Sequence, residues 1–410
     1  MASDYSLAGH ILRRARFAGA SVLENGNPFF VPLDRLQADA IRAGGVLTSF
    51  ANYDYLGISD HVAIRDAAHL ALDRVGVGAL GSRLVGGERL IHADFENAMA
   101  KFVGTGACLT LVSGYLTNLT TISNLLGKRD LVIYDELSHN SIVAGVGSCK
   151  ATPMEFRHND MDHLRHILSE ARGNYRNCLI VVESLYSMDG DIANLPELLN
   201  LKDEFHSWLL VDEAHSIGVL GETGRGISEY FKEDPERIDL IIGTLSKTFV
   251  SCGGFICAQK PVLEWMKYLL PGFVYSVGLP PVIAAAANAA LQLIIEEPER
   301  VAKLQANSKH FLEKAKAAGL STGPAEGYAV VPVHFADMRT TMAASDHLMK
   351  NGVYAPPIVQ MGVPKGLPRI RFFISARHSF EEIDRTVELL RSFSATLAKA
   401  PVESQAAALA

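Results

Sequence analysis

Short runs of apolar residues punctuate the middle of the chain, and sequence of helical or turn character bounds each of them. The runs are CLTLV (108–112), LVIY (131–134), CLIVV (178–182), WLLV (208–211) and LIIG (240–243). They are continuous rather than alternating, which is typical of strands that are buried on both faces of a parallel sheet. The pattern therefore predicts an α/β domain built on a mostly parallel sheet.

Polar residues directly follow each of these runs. They are Ser113 and Gly114, Asp135 and Glu136 with His139 close behind, Glu183 and Ser184, Asp212 and Glu213, and Thr244 with Lys247. In open α/β sheets, ligands bind outside the carboxyl ends of the strands, so we expect these groups to converge on one crevice. The common tendency of polar residues to end strands explains each group alone, but it explains all of them together less well.

The pattern changes after Glu297. There follow a helical stretch (299–319), the strand-like YAVVPVHF (328–335), a helical segment around AASDHLMKNG (343–352), the strand-like RIRFFISA (369–376) and an amphipathic helix, SFEEIDRTVELLRSF (379–393). We expect an N-terminal segment over 1–45, a large α/β domain over 46–296, a smaller C-terminal α+β domain over 297–400 and a flexible tail over 401–410.

Composition narrows the class of protein. Of the 410 residues, 48% are hydrophobic and 20% are charged, as in ordinary globular proteins. The formal net charge of −7 gives no general attraction to nucleic acid, and no basic run suggests such a partner. The five cysteines form no C-x-x-C pair, which argues against a disulfide framework and for a reducing compartment.

The sequence predicts neither secretion nor a membrane span. The first residues, MASDYSLAGHILRRARFAG, lack the charged-then-apolar order of a secretory signal. The longest apolar region is interrupted by Pro271, Gly278, Pro280 and Pro281, which favours a buried helix from about Val282. We therefore expect the protein in the cytoplasm.

Two motifs resemble nucleotide-binding signatures, but their surroundings exclude both. GVGALG (76–81) fits G-x-G-x-x-G, with Glu96 further along the chain, yet the preceding residues 61–75 have helical spacing instead of a strand pattern. VDEAHSIG (211–218) contains D-E-A-H, yet no phosphate-binding G-x-x-x-x-G-K-[ST] loop accompanies it. We reject a dinucleotide site and a helicase, and leave open a glycine-rich active-site loop that continues into GSRLVGG (81–87).

Lys247 stands between a strand-like run and a glycine-rich turn, in LIIGTLSKTFVSCGGF (240–255). A loop lysine is usually solvated, so its role depends on its partners. Asp212 ends a buried strand, and a buried carboxylate needs a partner such as a protonated ring nitrogen. Pyridoxal 5'-phosphate (PLP) requires a lysine for its Schiff base, an aspartate for its ring nitrogen and a cradle for its phosphate. The sequence therefore predicts a PLP site.

The phosphate cradle has a candidate in LTLVSGYLTN (109–118), where a strand leads through Ser113, Gly114 and Tyr115 into a helix. Free backbone N–H groups at the start of a helix bind anions. The hydroxyls of Thr244 and Ser246 add possible donors. A serine and a glycine after a strand are also common turn chemistry, so this segment alone does not establish a phosphate site.

Several histidines are candidate site residues. We expect His139 to pack on the cofactor ring and His215 to bond its phenolic oxygen, and both assignments depend on the pair Lys247 and Asp212. His158 and His163 in HNDMDH (158–163) have no third ligand beside them, so we interpret them as part of a solvated turn and assign no metal.

Six motifs occur in the order found in the α-oxoamine synthases. They are SGYLTN (113–118), DELSHNS (135–141), YSMDGD (186–191), VDEAHSIGVLGETGRG (211–226), GTLSK (243–247) and PRIRFFISARHS (368–379). The chain resembles this family of fold-type I PLP enzymes from about residue 45 to about residue 395, and the family includes serine palmitoyltransferase and 8-amino-7-oxononanoate synthase. The resemblance implies a fold-type I PLP-dependent transferase.

The resemblance implies a role for each matching position. Lys247 is the Schiff-base lysine, Asp212 the partner of the pyridinium nitrogen and His139 the stacking, catalytic histidine, whereas His215 and Ser187 meet the phenolic oxygen and Gly114, Tyr115 and Thr244 contact the phosphate or ring. Ser276 matches a residue that reaches the phosphate of the neighbouring subunit, which implies a homodimer with shared sites. Arg371 matches the arginine that receives the substrate carboxylate, and a guanidinium binds a carboxylate at two points.

The implied reaction is a decarboxylative Claisen-type condensation. An α-amino acid and an acyl thioester give an α-amino ketone, carbon dioxide and a free thiol. In NYDYLG (52–57), Tyr53 and Asp54 fall at substrate-binding positions, and Tyr53 stands where serine palmitoyltransferases tend to have tyrosine. This match, with others, favours L-serine and a long-chain acyl-CoA, and hence sphingolipid biosynthesis.

Other functions compete with this interpretation. LSKTFVSCGG (245–254) differs from the sequence that serine palmitoyltransferases usually have there, so 8-amino-7-oxononanoate synthase and autoinducer- or polyketide-type synthases are alternatives. An aminotransferase on the same fold is a different class, because it would release no carbon dioxide. The acyl group arrives on coenzyme A or on an acyl carrier protein.

Overall fold

The structure is a computed structural model that describes residues 6–17, 29–36, 39–42, 45–359 and 368–399. The predicted flexible tail over 401–410 lies outside these residues. The described chain divides into two compact units, one formed by residues 53–305 and the other by residues up to 52 together with those from 306 onwards.

Fourteen strands are present in the described residues. They are β1 (Arg35–Leu36), β2 (Asp39–Arg42), β3 (Gly45–Ser49), β4 (Ala107–Leu111), β5 (Leu131–Asp135), β6 (Thr152–Phe156), β7 (Cys178–Glu183), β8 (Trp208–Asp212), β9 (Leu240–Thr244), β10 (Gly254–Ala258), β11 (Val330–His334), β12 (Val353–Tyr354), β13 (Pro357–Ile358) and β14 (Arg369–Phe373).

The same residues form fourteen α-helices. They are α1 (Leu7–Phe17), α2 (Val62–Val75), α3 (Leu90–Val103), α4 (Gly114–Leu125), α5 (Asn140–Ser148), α6 (Met161–Ala171), α7 (Leu195–Glu204), α8 (Ile227–Phe231), α9 (Lys260–Leu269), α10 (Pro271–Val274), α11 (Pro281–Glu296), α12 (Glu299–Ala317), α13 (Met338–Lys350) and α14 (Phe380–Lys399). Short 3₁₀ turns span Arg172–Asn174 and Pro235–Arg237, and a π-helical turn spans Arg83–Gly87.

A seven-stranded sheet in the order β4-β10-β9-β8-β7-β5-β6 organises the unit of residues 53–305. Only β10 runs antiparallel to its neighbours, so the predicted mostly parallel sheet is confirmed. All five predicted strands are present. Two were missed, because β6 alternates between exposed and buried positions and β10 follows directly on the glycine-rich turn.

The core of this unit lies between the sheet and its helices. Leu109, Leu179, Leu210 and Ile256 project from the strands into one buried cluster, which α4, α5 and α9 cover with further apolar side chains. Burying such side chains stabilises the fold by about 1.5–3 kcal/mol each.

Helix α11 confirms the buried helix predicted from about Val282, and it packs against α2 and α3. Within the described residues, no helix combines the length and the apolar character needed to cross a membrane.

The segment before GVGALG is helix α2, as its spacing predicts. Glu96 is bonded within the protein: it accepts a hydrogen bond from the Thr110 backbone N–H (2.7 Å) and pairs with the buried Arg83 of GSRLVGG. The backbone of this segment is therefore held by a buried ion pair.

The unit of residues up to 52 and from 306 contains two small sheets, ordered β1-β2-β3-β12 and β11-β14-β13. Its core includes the aromatic rings of Phe50, Phe311 and Phe372, which meet in tilted and edge-to-face arrangements. The ring of His378 stacks on Phe50 at 4.2 Å and is buried, which lowers the pKa of His378 to about 4.

The observed units differ from the predicted regions at their boundaries. Among the described residues of the predicted N-terminal segment over 1–45, β2 pairs with β3, and β3 pairs with β12, a strand from the far end of the chain. The predicted boundary near residue 296 shifts as well, because α12 continues through the division at residue 305.

Candidate active site

A cavity of about 150 Å³ lies at the carboxyl ends of the parallel strands. Its lining residues come from the ends of β4, β5, β7, β8 and β9, which are the five positions that the sequence predicted to converge. They are Gly114, Tyr115, Asn118, His139, Ser141, Glu183, Asp212, Ala214, His215, Gly243, Thr244 and Lys247.

Lys247 lies in the loop that follows β9, where a turn closes through the hydrogen bond from the Val250 N–H to the Lys247 carbonyl (2.8 Å). Its Nζ atom lies 5.6 Å from the centre of the Tyr53 ring. The half-buried amine thus reaches the cavity against an aromatic face, which favours a cation.

Asp212 ends β8 and is only 5% exposed. Its Oδ2 accepts a hydrogen bond from Asn118 Nδ2 (2.6 Å), and its Oδ1 accepts one from the Ala214 backbone N–H (2.9 Å). Each carboxylate oxygen can accept a further bond, so the group is a buried anion able to meet a protonated ring nitrogen.

Glu183 ends β7 and contributes a second buried carboxyl group to the cavity. Its oxygens accept hydrogen bonds from the backbone N–H groups of His139 (2.6 Å) and Ser187 (3.3 Å). Burial, together with the nearby charge of Asp212, raises the pKa of Glu183 to about 8. The backbone at His139 and the backbone at Ser187 are thereby both bonded to the Glu183 side chain.

His139 and His215 are each held by a neighbouring hydroxyl. Nδ1 of His139 lies 2.8 Å from Ser141 Oγ, at the start of α5. Nδ1 of His215 lies 2.7 Å from the hydroxyl of the fully buried Tyr55.

Gly114 begins α4 beside Thr244. A Cβ atom at Gly114 would lie 2.8 Å from the Thr244 side chain, so only glycine allows this close approach. Ser113 caps the helix by accepting a bond from the Leu116 N–H (3.4 Å), and Thr244 Oγ1 accepts one from the Ser246 N–H (3.2 Å). The helix start, with the adjacent hydroxyls, forms a cradle that fits a phosphate group.

Five predicted residues do not line the cavity. Tyr53 lies beside Lys247, and Ser187 is buried next to Glu183. Asp54 is buried and accepts bonds from the N–H groups of Ile58 (2.8 Å) and Ser59 (3.0 Å), which hold a turn. The remaining two are Ser276, half-buried in the segment after α10, and Arg371 of β14, whose guanidinium lies 4.4 Å from the Phe373 ring centre.

The histidines of HNDMDH have structural partners. His158 lies 2.9 Å from both Asp135 and Asp191. Burial alone would lower the pKa of His158, but the hydrogen bonds to these two carboxylates outweigh it and raise that pKa to about 10. His163 Nδ1 accepts a bond from the Arg157 N–H (2.9 Å). The interpretation of a solvated turn is therefore wrong for His158, which bridges two carboxylates. The described part of the chain contains no group of metal-binding side chains.

Sequence reasoning missed Asn118, Ser141 and Tyr55 and did not assign a role to Glu183. Asn118 lies one helical turn after Gly114, so a helix beginning at Gly114 would have placed both on one face. Its contact with Asp212 joins positions 94 apart, and only the fold reveals it.

Comparison with known proteins decides the family. The family model for aminotransferase class I and II matches residues 46–390. The 8-amino-7-oxononanoate synthase of Treponema denticola is 38% identical over 86% of this chain and 89% of its own, and that of Methylobacterium sp. (strain 4-46) is 40% identical over 87% and 90%. A solved structure of Sphingomonas wittichii serine palmitoyltransferase superposes with a TM-score of 0.90 at 28% identity, covering 97% of this chain and all of that one.

The chain is an α-oxoamine synthase. It belongs to the fold-type I PLP-dependent enzymes and is an acyltransferase, as the motifs predicted. The site of this synthase fits PLP, because a buried anion, a half-buried lysine and a glycine-backed helix start all face one cavity. Asn118 also lines the cavity, and its buried Oδ1 atom has no hydrogen-bond partner among the described residues.

Proposed function

We propose that Lys247 holds PLP through its Nζ atom and that Asp212 keeps the ring nitrogen protonated. The observation that supports this most is the buried Asp212 carboxylate, which faces the same cavity as Lys247. When bound, PLP supplies an electron sink for the carbanion at the substrate α-carbon. Gly114, Tyr115 and Thr244 would hold the phosphate, and His215 with Ser187 the phenolic oxygen.

The other predicted residues act on the substrates in this proposal. Lys247 removes the α-proton through its Nζ atom, which would be released when the substrate amine takes its place and which stays within reach because the same residue holds the cofactor beforehand. His139 packs on the ring and assists when the product receives its final proton. Arg371 binds the amino-acid carboxylate, and Tyr53 and Asp54 shape the side-chain end of that substrate.

The curated relatives support the 8-amino-7-oxononanoate synthase reaction better than the serine palmitoyltransferase reaction. The name 8-amino-7-oxononanoate describes a chain with a carboxyl group at one end. Near the other end, an amine stands on the carbon next to a ketone. A decarboxylative condensation builds that product from L-alanine and a pimeloyl thioester. We therefore propose these substrates, on coenzyme A or on an acyl carrier protein.

Serine palmitoyltransferase activity, and with it sphingolipid biosynthesis, is the second candidate. Tyr53 supports it, because a phenol beside Lys247 offers a hydrogen bond to the hydroxyl of L-serine. Tyr53→Phe removes that hydroxyl and keeps the ring. If serine is the substrate, the KM for L-serine rises in this variant while that for L-alanine does not change.

The test is a matrix of substrates with the PLP-loaded enzyme. L-alanine, L-serine and glycine, each labelled at the carboxyl carbon, are combined with pimeloyl-CoA and palmitoyl-CoA, and released carbon dioxide and product mass are measured. Release with L-alanine and pimeloyl-CoA supports the first candidate, and release with L-serine and palmitoyl-CoA supports the second. Nitrogen transfer to a keto acid without carbon dioxide would contradict both and indicate an aminotransferase.

We also propose a homodimer whose sites are shared through Ser276. Mixing Lys247→Ala and Ser276→Ala subunits tests the sharing, because one site of a mixed dimer then contains both native residues. Recovery of activity on mixing is expected, and its absence in a verified mixed dimer would contradict a shared site.

The cytoplasm remains our prediction for the location of this protein, and the five free thiols support it.

A further inference from the structure

We infer that Asn118 and Ser141 are positioning residues, which form a hydrogen-bonded chain from Asp212 to His139 and hold the proton of the His139 ring on Nε2. The inference rests on the proposed function, since Asp212 and His139 are the two proposed ring partners that this chain connects. The three linking distances are 2.6 Å from Asn118 to Asp212, 3.0 Å from Asn118 to Ser141 and 2.8 Å from Ser141 to His139.

Asp212 sets the direction of the chain at its first link. Asn118 is 3% exposed, and its Nδ2 atom donates one N–H to Asp212 Oδ2 and the other to Ser141 Oγ. A carboxylate only accepts hydrogen bonds. Turning the amide over would place its carbonyl oxygen against that carboxylate, so the orientation of Asn118 follows from the charge of Asp212.

Ser141 passes the direction on to the histidine. Its buried hydroxyl oxygen accepts the bond from Asn118, which leaves the hydroxyl proton to donate to His139 Nδ1. The backbone N–H of Ser141 also points to Nδ1, at 3.3 Å, and an N–H group can only donate. Two donors therefore face Nδ1, which must be the unprotonated nitrogen of the neutral ring.

The position of the proton on the His139 ring determines what this residue can do in the reaction. A neutral His139 with its proton on Nε2 donates a hydrogen bond from that atom and cannot accept one there. His139 therefore acts as a hydrogen-bond donor in the reaction, in keeping with a role that assists Lys247 in the final protonation. The chain also ties α4, which carries the phosphate cradle at its first residue, to the start of α5.

The proton position can be measured directly. Protein labelled with ¹⁵N in its histidine rings is studied by solid-state NMR, with and without bound PLP, and His139→Asn assigns the signals. We expect Nδ1 of His139 to show the shift of an unprotonated nitrogen and Nε2 that of an N–H. A proton on Nδ1 in the neutral ring would overturn the inference without any variant.

Ser141→Ala tests the role of the hydroxyl. We expect a resolved population with the proton on Nδ1, absent from the wild-type enzyme, because the O–H donor is lost. Ser138→Ala is the matched control, since the buried Ser138 hydroxyl has no hydrogen-bond partner among the described residues. Ser141→Thr, which keeps a hydroxyl, should restore the wild-type spectrum.

Identical spectra for Ser141→Ala and Ser138→Ala would overturn the inference. The spectra of the PLP-free protein do not depend on catalysis, so this failure differs from failure of the proposed function, which appears as an absence of PLP binding or of carbon dioxide release.

Discussion

Glu183 and Asp212 lie opposite each other on the neighbouring parallel strands β7 and β8, and their carboxyl groups face the same cavity. Two buried carboxyl groups so placed disfavour joint ionisation. Asp212 accepts bonds from Asn118 and Ala214, whereas Glu183 accepts bonds from two backbone N–H groups and has a pKa raised to about 8. At neutral pH, Glu183 is therefore mostly protonated beside the proposed partner of the ring nitrogen.

Glu183→Gln should make the free energy of unfolding depend less on pH. The folded protein holds the Glu183 proton up to about pH 8, whereas the unfolded chain releases it near 4.5, so this group lowers stability as the pH rises between these values. Each pKa unit corresponds to about 1.4 kcal/mol. Urea unfolding of the PLP-free protein from pH 5 to pH 8 measures the difference, with the exposed Glu264→Gln as the control. Parallel curves for wild type and Glu183→Gln would contradict the prediction.

His378→Gln should remove an acid-sensitive contribution to stability. The folded pKa of about 4 lies below the ordinary 6.5, so the contribution is present above pH 6.5 and is lost as the pH falls towards 4. At pH 7 the variant should lose about 1–3 kcal/mol, because the bonds to Ser49 and Ser375 are broken. Unfolding at pH 7 and pH 5 checks both effects. His69→Gln, on the exposed side of α2, should change neither value.

Gly114→Ala should weaken PLP binding and cost about 1–3 kcal/mol of stability, because the new Cβ atom meets Thr244 at 2.8 Å. Gly147→Ala makes the same chemical change on the exposed side of α5, where a Cβ atom meets nothing within 4 Å. That control should be stabilised by about 0.5–1 kcal/mol. Fluorescence titration with PLP and thermal unfolding measure the two effects, and equal behaviour of the two variants would argue against a tight cradle.

Asp212→Asn should weaken PLP binding by roughly 2–5 kcal/mol, because the ring nitrogen loses its buried anionic partner. The stability of the PLP-free protein should fall by less than this, since the amide keeps one oxygen that accepts the bond from the Ala214 N–H. PLP titration and urea unfolding of the same preparation separate the two quantities. A loss of folding stability with unchanged PLP affinity would mean that Asp212 has only a structural role.

The sequence predicted those parts of the fold that depend on local pattern. Continuous apolar runs predicted the parallel strands, because a strand that is buried on both faces of a parallel sheet carries apolar residues at successive positions. Strand β6 was not predicted because its exposed and buried positions alternate, as in a half-exposed edge strand. Strand β10 was not predicted because glycines precede it. Because ligands bind at the carboxyl ends of the strands, the sequence also predicted that Lys247, Asp212, His139 and Thr244 lie together.

The remaining site contacts depend on residues that are distant in sequence. Asn118 meets Asp212 and Tyr55 meets His215 only after the chain has folded, and no local pattern encodes such pairs. The partners of His158 could not be predicted from its neighbours, since the two carboxylates lie 23 and 33 positions away. The roles of Ser276 and Arg371 stay predictions.

The attachment of PLP to Lys247 can be tested most directly by reduction with borohydride, which makes a Schiff base permanent. The loaded enzyme is reduced and digested, and the peptides are analysed by mass spectrometry, with Lys247→Ala treated in parallel. We predict one phosphopyridoxyl group per chain, on Lys247, and none in the variant. A phosphopyridoxyl group on another lysine, or no modification of the wild-type enzyme, would contradict the assignment.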